Sequence, residues 1–410
     1  MWVAPVSAQD PPQTPTLDQA IDTLKQAVTQ LDEVAHQPPP PPPPEPEAAP
    51  HYLRMPANGS LQTLLDAAAP GDTILLPQGA TFTGNFVLRA KTGTGFITIQ
   101  TDIPETGPYA PGVRLTRTAA SPLAKLQSSN DKPALRTDPG AHHYRIQLVQ
   151  YGPNLYGSND IIDLGDGGKA QSDPALVPYT LILDRVFITG DPLQGQKRGI
   201  GLNARDVTIT NSTIVDIKTL GQDTQAIGGW NGPGPFRIEN NYLEAAGENV
   251  MFGGADPSIP NLIPTGIIVR GNYMSKPVGW RDPFVAPPTD VAATVAAPTD
   301  PPSTTSLPAG TYTYTVQARR PAGQGNIGTS TAAKSAPLSL TASGSVQVTW
   351  TAAPDATEYR VYRTGPAGTA YFTVKQPTFT DVGATGTAGT VPGSSHWLVK
   401  NVFELKNAKD

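Results

Sequence analysis

The chain has 410 residues, 45 of them proline and 40 glycine, with 15% charged residues, a net charge of −5 and no cysteine. That balance excludes disulfide staples and thiolate metal sites and offers no basic stripe for nucleic acid. It suits a turn-rich all-β or repeat protein of two or three domains better than a helical bundle.

The opening "MWVAPVSAQDPP" carries a small-x-small pattern at Val6-Ser7-Ala8 before a polar start, so residues 1–10 read as a signal-peptide remnant. This predicts a secreted or cell-surface protein. No apolar run reaches the roughly 18 residues that span a bilayer, so membrane insertion is not expected. Residues 16–37 predict a helix. Leu17, Ile21, Leu24, Val28 and Leu31 are spaced 4, 3, 4, 3 along an a/d seam. Either this seam (17–34) mediates oligomerisation, or the helix lies on the main domain. Seven prolines, Pro38–Pro44, lead a linker over 38–50 that reads as a polyproline II stalk.

From 51 the pattern becomes repetitive. "SLQTLLDAAAPGDTILLPQGATFTGNFVL" (60–88) predicts a short helix, a turn, a strand, a turn and a strand. Blocks starting at Leu181, Val207, Phe236 and Ile267 align without gaps at offsets of 26, 29 and 31 residues, with a weaker relative starting at Tyr144. Each block alternates apolar and polar residues, bends at a polar or Asn/Gly pair, and alternates again. One such unit cannot bury its apolar face, so the units must stack, with ladders of like residues about 4.8 Å apart. Asn211, Asn240 and Asn272 fall at or next to the bend, where asparagine tolerates left-handed backbone. The expected fold over 51–284 is a parallel β-helix.

The helix followed by "PGDTILLPQGATFTG" resembles the opening coil of the pectin-lyase-like right-handed parallel β-helix superfamily, and the later blocks resemble its coils. The stretch Thr224–Trp280 is similar to a group of secreted bacterial β-helix proteins of unsettled activity. The resemblance implies a polysaccharide-binding groove along one parallel sheet, walled by loops.

After a Pro/Thr/Ala linker and insert start at 285–310, residues 311–392 predict strictly alternating strands. Trp350 and Tyr359 are spaced as in fibronectin type III modules, which this β-sandwich resembles in a circularly permuted order. "HWLVKNVFELKNAKD" then reads as β-helix again over 393–410. The sandwich thus interrupts the helix, and the chain stops in mid-coil, which reads either as a fragment of a longer protein, with any catalytic residues of later coils then absent, or as a last coil that lacks its neighbour.

Two clusters are candidates for chemistry. Counted from the block starts, Asp191, Asp216, Glu244 and Lys276 fall at +10, +9, +8 and +9, a rough column that could bind Ca²⁺ through Asp191, Asp216 and Glu244. The alternative is that these are solvated corner residues. Around the glycine-rich loops of 224–254 lie Asp223, Glu248, Asp256, Trp230, Trp280 and Arg281. Aromatic rings stack on sugars and arginine pairs with carboxylates. The alternative here is corner filling. Lys276, Arg281, Asp223 and Glu248 are the expected catalytic set, and Trp230, Trp280 and Asp256 the expected substrate contacts. A paired-aspartate plus Gly-His-Gly pattern is missing, and His142-His143 has no acidic partner at ligand spacing. Two functions remain open: a polysaccharide-active protein, specifically a lyase of uronate polymers, or a non-catalytic glycan-binding adhesin or surface spike.

Overall fold

The computed structural model describes residues 16–35, 51–56, 59–297 and 304–409. The signal-like start at 1–10, the proline-rich linker at 38–50 and the stretch 298–303 lie outside them. The N-terminal helix is Leu17–Ala35, and Leu17, Ile21, Leu24 and Val28 on its seam are exposed.

From His51 the chain winds into a parallel β-helix of three long sheets. The first has eight strands, from His51–Arg54 to Ile267–Arg270. The second has seven, from Thr81–Thr83 to Tyr273–Ser275. The third has seven, from Phe86–Leu88 to Phe403–Leu405. The repeat register read from sequence is the pairing register. Tyr144 pairs with Leu181, Leu181 with Val207, Val207 with Phe236, and Phe236 with Ile267.

The fifth residue of every block turns the corner from first to second sheet. Leu148, Arg185, Asn211, Asn240 and Gly271 have φ of 52°, 51°, 52°, 54° and 65°. Glycine adopts this left-handed conformation freely and asparagine tolerates it, whereas Leu148 and Arg185 carry about 1–2 kcal/mol of strain. The asparagine amides bond along the stack. Asn240 Nδ2 donates to Asn211 Oδ1 at 2.8 Å, and Asn241 Nδ2 to Asn272 Oδ1 at 3.0 Å. Asn241 Oδ1 also accepts the Ser212 N–H at 2.9 Å.

Alternation sends every second residue inward. Tyr144, Leu181, Val207 and Phe236 form one buried row, and Ile146, Leu183, Ile209 and Ile238 another. Each such side chain contributes about 1.5–3 kcal/mol. The helix Leu61–Ala67 buries Leu61 and Leu65 against the same core. Its Gln62 exchanges hydrogen bonds with the backbone of Val87, satisfying the outer edge of the third sheet. The segment after it forms three strands, Asp72–Leu76, Thr81–Thr83 and Phe86–Leu88, where the sequence predicts two.

A separate antiparallel domain follows. One sheet pairs Thr289–Val295, Val346–Thr351 and Thr378–Asp381. The other is built on Gly310–Pro321, Glu358–Gly365 and Gly368–Val374. Trp350 and Tyr359 pack edge to face in its core, ring centres 5.2 Å apart. The chain then returns as Phe403–Leu405, which pairs in parallel with Glu248–Phe252. The domain therefore occupies the connection from second to third sheet in the last coil. It is docked there by Trp280, Phe284 and Trp397, which share its core with Ala246 of the coil.

Candidate functional site

The outer face of the third sheet carries two polar rows. Asp160, Arg198, Gln225 and Glu248 begin successive strands in register. Their side chains form one hydrogen-bonded chain. Arg198 Nη1 donates to Asp160 Oδ1 at 2.9 Å, Arg198 Nε to Gln225 Oε1 at 2.9 Å, and Gln225 Nε2 to Glu248 Oε2 at 2.9 Å. Three residues along, Arg136, Asp163, Gly201, Gly228, Met251 and Glu404 form the second row.

The glycines in that second row make the space. A Cβ on Gly201 would collide with the carboxylates of both Asp160 and Asp163, and one on Gly228 would press on Arg198 Nε. The two acids therefore face each other over one glycine. Above them, two adjoining cavities of about 380 and 260 Å³ share Lys197, Arg198 and Trp230 as lining. They form a groove running from Asp163 to Met251, Gly254 and Lys406. The indole of Trp230 is half-buried, donates from Nε1 to Gly167 O at 2.8 Å, and has the Arg198 guanidinium 5.1 Å from its ring centre. Beneath it, Asn203 Oδ1 accepts the N–H groups of Trp230 and Asn231, so the loop is held by a second asparagine support.

The titratable groups here are displaced in opposite directions. Burial, with the Asp160 and Asp166 carboxylates adding, pushes Asp163 well above the usual carboxylate range. Burial and the neighbouring Arg198 charge pull Lys197 down. Its Nζ has no hydrogen-bond partner among the described residues. Glu248 is fully buried and raised by burial, and its Oε1 has no hydrogen-bond partner among the described residues.

Of the residues singled out from sequence, the structure brings three to this groove. Trp230 and Asp223 line it, and Glu248 ends its first row. Asp223 is paired with Lys400 at 2.6 Å. The others lie elsewhere. Lys276 donates to the carbonyls of Ala245, Ala246 and Gly247, closing a coil corner. Trp280 is buried in the domain junction with the Lys218 ammonium 5.0 Å from its ring centre. Arg281 is exposed beside it, its carbonyl in contact with His396 Nδ1 at 3.1 Å. Asp256 is exposed at the groove's margin, directly after the lining residue Ala255.

The expected Ca²⁺ set does not assemble. Asp191 accepts from the N–H groups of Leu193 and Gln194 in its own turn, while Asp216 is paired with Arg117 and Lys218. No group of three acidic or histidine side chains suited to a metal ion occurs among the described residues. The strand Thr213–Ile217 bulges at Asp216, with φ of 60°, which brings Asp216 beside Glu244, whose Oε1 accepts the Asp216 N–H at 3.3 Å. Glu244 in turn pairs with Ser275, so Lys276 falls one residue past the column.

Asp160, Asp163, Lys197, Arg198 and Gln225 are not singled out by the sequence reading. Their signal is an apolar anchor, Ile162, Ile200, Ile227 and Val250, one residue before Asp163, Gly201, Gly228 and Met251. The variable loops before these strands hide it from a gap-free alignment.

No protein-family model and no curated protein sequence matches the chain. Among solved structures it is similar to the PL6 family alginate lyase AlyGC, at 13% identity over 50% of this chain and 26% of that one, with a TM-score of 0.34. It is also similar to an alginate lyase from Paenibacillus sp. str. FPU-7, at 17% identity over 55% and 75%, TM-score 0.28. A third is the tailspike protein gp49 from Acinetobacter baumannii bacteriophage Fri1, a capsular polysaccharide depolymerase, at 8% identity over 76% and 81%, TM-score 0.20. This chain spans about a quarter of the length of the first. The likenesses are too distant to transfer a residue or a reaction.

Proposed function

We propose that the groove binds an acidic polysaccharide and cleaves it by β-elimination at a uronate unit. The observation that carries this reading is that Lys197 and Asp163 line one cavity with pKa values displaced toward each other. That is the condition for a base and an acid to work at one pH. A sugar ring stacks on Trp230. Arg198, with Nη2 free of hydrogen bonds among the described residues, faces the uronate carboxylate. Unprotonated Lys197 takes the C5 proton, the C4–O bond breaks as the C4–C5 double bond forms, and Asp163 gives its proton to the leaving oxygen. The lysine proton then returns to Asp163 through solvent. No step of this scheme uses Ca²⁺, since Lys197, Arg198 and Asp163 supply the base, the clamp and the acid.

Glycan binding without turnover is the second reading, favoured by Asp160 already neutralising Arg198. We further propose that the antiparallel domain is fibronectin type III-like, which the packed Trp350–Tyr359 pair supports. Self-association through the exposed seam of Leu17–Ala35, and action outside the cell or at its surface, are proposed with it.

The test is incubation of the full chain with mannuronate, guluronate and galacturonate polymers, following ultraviolet absorbance of the unsaturated product. Product from wild type and none from Lys197→Ala supports elimination. Retained binding with no product from any polymer overturns it in favour of the second reading.

A further inference from the structure

The second sheet has a cavity of its own. The segment between the strands Ile97–Thr101 and Lys125–Gln127 does not take a short turn but crosses the outer face of that sheet. It is pinned across several coils. Leu115 N donates to Asn211 O at 2.8 Å, and Thr213 Oγ1 to Leu115 O at 2.6 Å. Glu105 pairs with buried Arg185 at 2.9 Å. Leu115, Ala120 and Leu123 bury against Leu148, Phe187 and Val215 in a satellite core. A long excursion held this rigidly is a common way to build a site.

Between its edge and the sheet lies a cavity of about 390 Å³, the same size as the larger part of the groove. That falls within the usual range for small-ligand sites, about 300–1,000 Å³. Its floor is aromatic. The ring of Tyr242 lines it and is held by stacking on that of Tyr273 at 5.3 Å and 9°. Its rim is cationic. Arg114 spends its hydrogen bonds on the neutral groups of Asn240 and Gly271, so no carboxylate compensates its charge among the described residues. Arg117 stands over the Phe187 ring, with its side chain 63% exposed and one contact to Asp216. Glu244 supplies the polar wall, accepting from Tyr242 Oη at 3.2 Å and from the Asp216 N–H at 3.3 Å. Burial raises Glu244 above the usual carboxylate range, which weakens its opposition to an anion.

We propose that this cavity is a second saccharide site, separate from the groove, in which an acidic sugar stacks on Tyr242 and sets its carboxylate against Arg114 and Arg117. An aromatic floor fits the C–H face of a pyranose, and guanidinium groups fit a carboxylate. The site needs no catalytic pair. Its role is to hold a second stretch of the polymer, so that release from the groove is followed by rebinding. Only the choice of polymer rests on the reading of the groove.

The experiment is calorimetric titration of the full chain with short oligomers of mannuronate, guluronate and galacturonate. Trp230→Ala is expected to retain one binding event. Adding Tyr242→Ala or Arg117→Ala should weaken that event about tenfold, the size of one stacking or charge-assisted contact. Either change alone should leave turnover of short oligomers as in wild type. Arg117 is exposed, so its variant tests the site without disturbing the core. The proposal is overturned if Arg117→Ala and Tyr242→Ala both titrate like their parents. It is also overturned if Trp230→Ala abolishes all binding while melting like wild type. Absence of unsaturated product, with the Tyr242-dependent event intact, removes the lyase reading and leaves this site standing.

Discussion

The bend between first and second sheets and the outer face of the third sheet are both stacks of polar residues in parallel register, yet they differ in how their polar atoms are treated. At the bend, Asn211, Asn240, Asn241 and Asn272 bond to one another and to the backbone of neighbouring coils. At the groove and the row beneath it, Lys197 Nζ and Glu248 Oε1 have no hydrogen-bond partner among the described residues, and Asp163 faces Asp160 over a glycine with Asp166 near. A satisfied ladder stabilises. An unsatisfied one stores free energy that a ligand can release. The difference separates the two stacks better than residue type does, since both read alike as polar positions in a repeat.

The largest expected effect separates the two regions by activity. Lys197→Ala and Asp163→Asn should each lower kcat by about a thousandfold, the scale of general acid–base catalysis. Neither should lower the melting temperature. The pH profile sharpens this. Lys197 is competent when neutral, so activity rises as pH climbs toward its lowered pKa. Asp163 is competent when protonated, so activity falls as pH passes through its raised pKa. Asp163→Asn should abolish the falling limb in whatever activity remains. A profile that keeps this limb assigns the acid to another residue.

Next in size is a change at the bend. Asn241→Ala leaves the Ser212 N–H and the Ile209 carbonyl unpaired in a buried corner, at a cost of about 2–3 kcal/mol. Thermal unfolding should show a clear fall in Tm, with kcat per folded molecule unchanged at low temperature. Loss of kcat without loss of Tm would break the comparison, because it would give the ladder a role in chemistry.

The smallest effect runs the other way. A carboxyl whose folded pKa is raised contributes stability below its unfolded pKa and loses it as pH rises through the folded value. Ionised Asp163 therefore costs stability at neutral pH. Asp163→Asn should raise Tm at pH 7 by about 2 °C, for roughly 1 kcal/mol. The gain should vanish once the acid is protonated in both states, below its ordinary value of 3.8. A Tm equal to wild type at both pH values would mean that the groove stores no such strain.

Much of the architecture was legible. The block starts at Tyr144, Leu181, Val207, Phe236 and Ile267 are the paired residues of the first sheet, and the asparagines sit at its corner. Of the residues singled out from sequence, Trp230, Asp223 and Glu248 lie at or beside the groove, while Lys276 clamps a corner and Trp280 fills a core. Asp216 shows the limit of counting, since one bulge shifts the pairing by a residue, so that Ile217 rather than Asp216 stands opposite Ala245 and Asp216 lies beside Glu244.

Periodicity records burial, and burial follows from strand alternation within a few residues, so the repeat and its fold are written locally in the chain. The groove is not. Its residues sit 38, 27 and 23 positions apart, at Asp160, Arg198, Gln225 and Glu248, because connections of unequal length precede each third-sheet strand. Backbone pairing brings those positions into one row whatever the loop lengths. Desolvation beside that row then raises Asp163 and lowers Lys197, and both shifts depend on neighbours that no local pattern names.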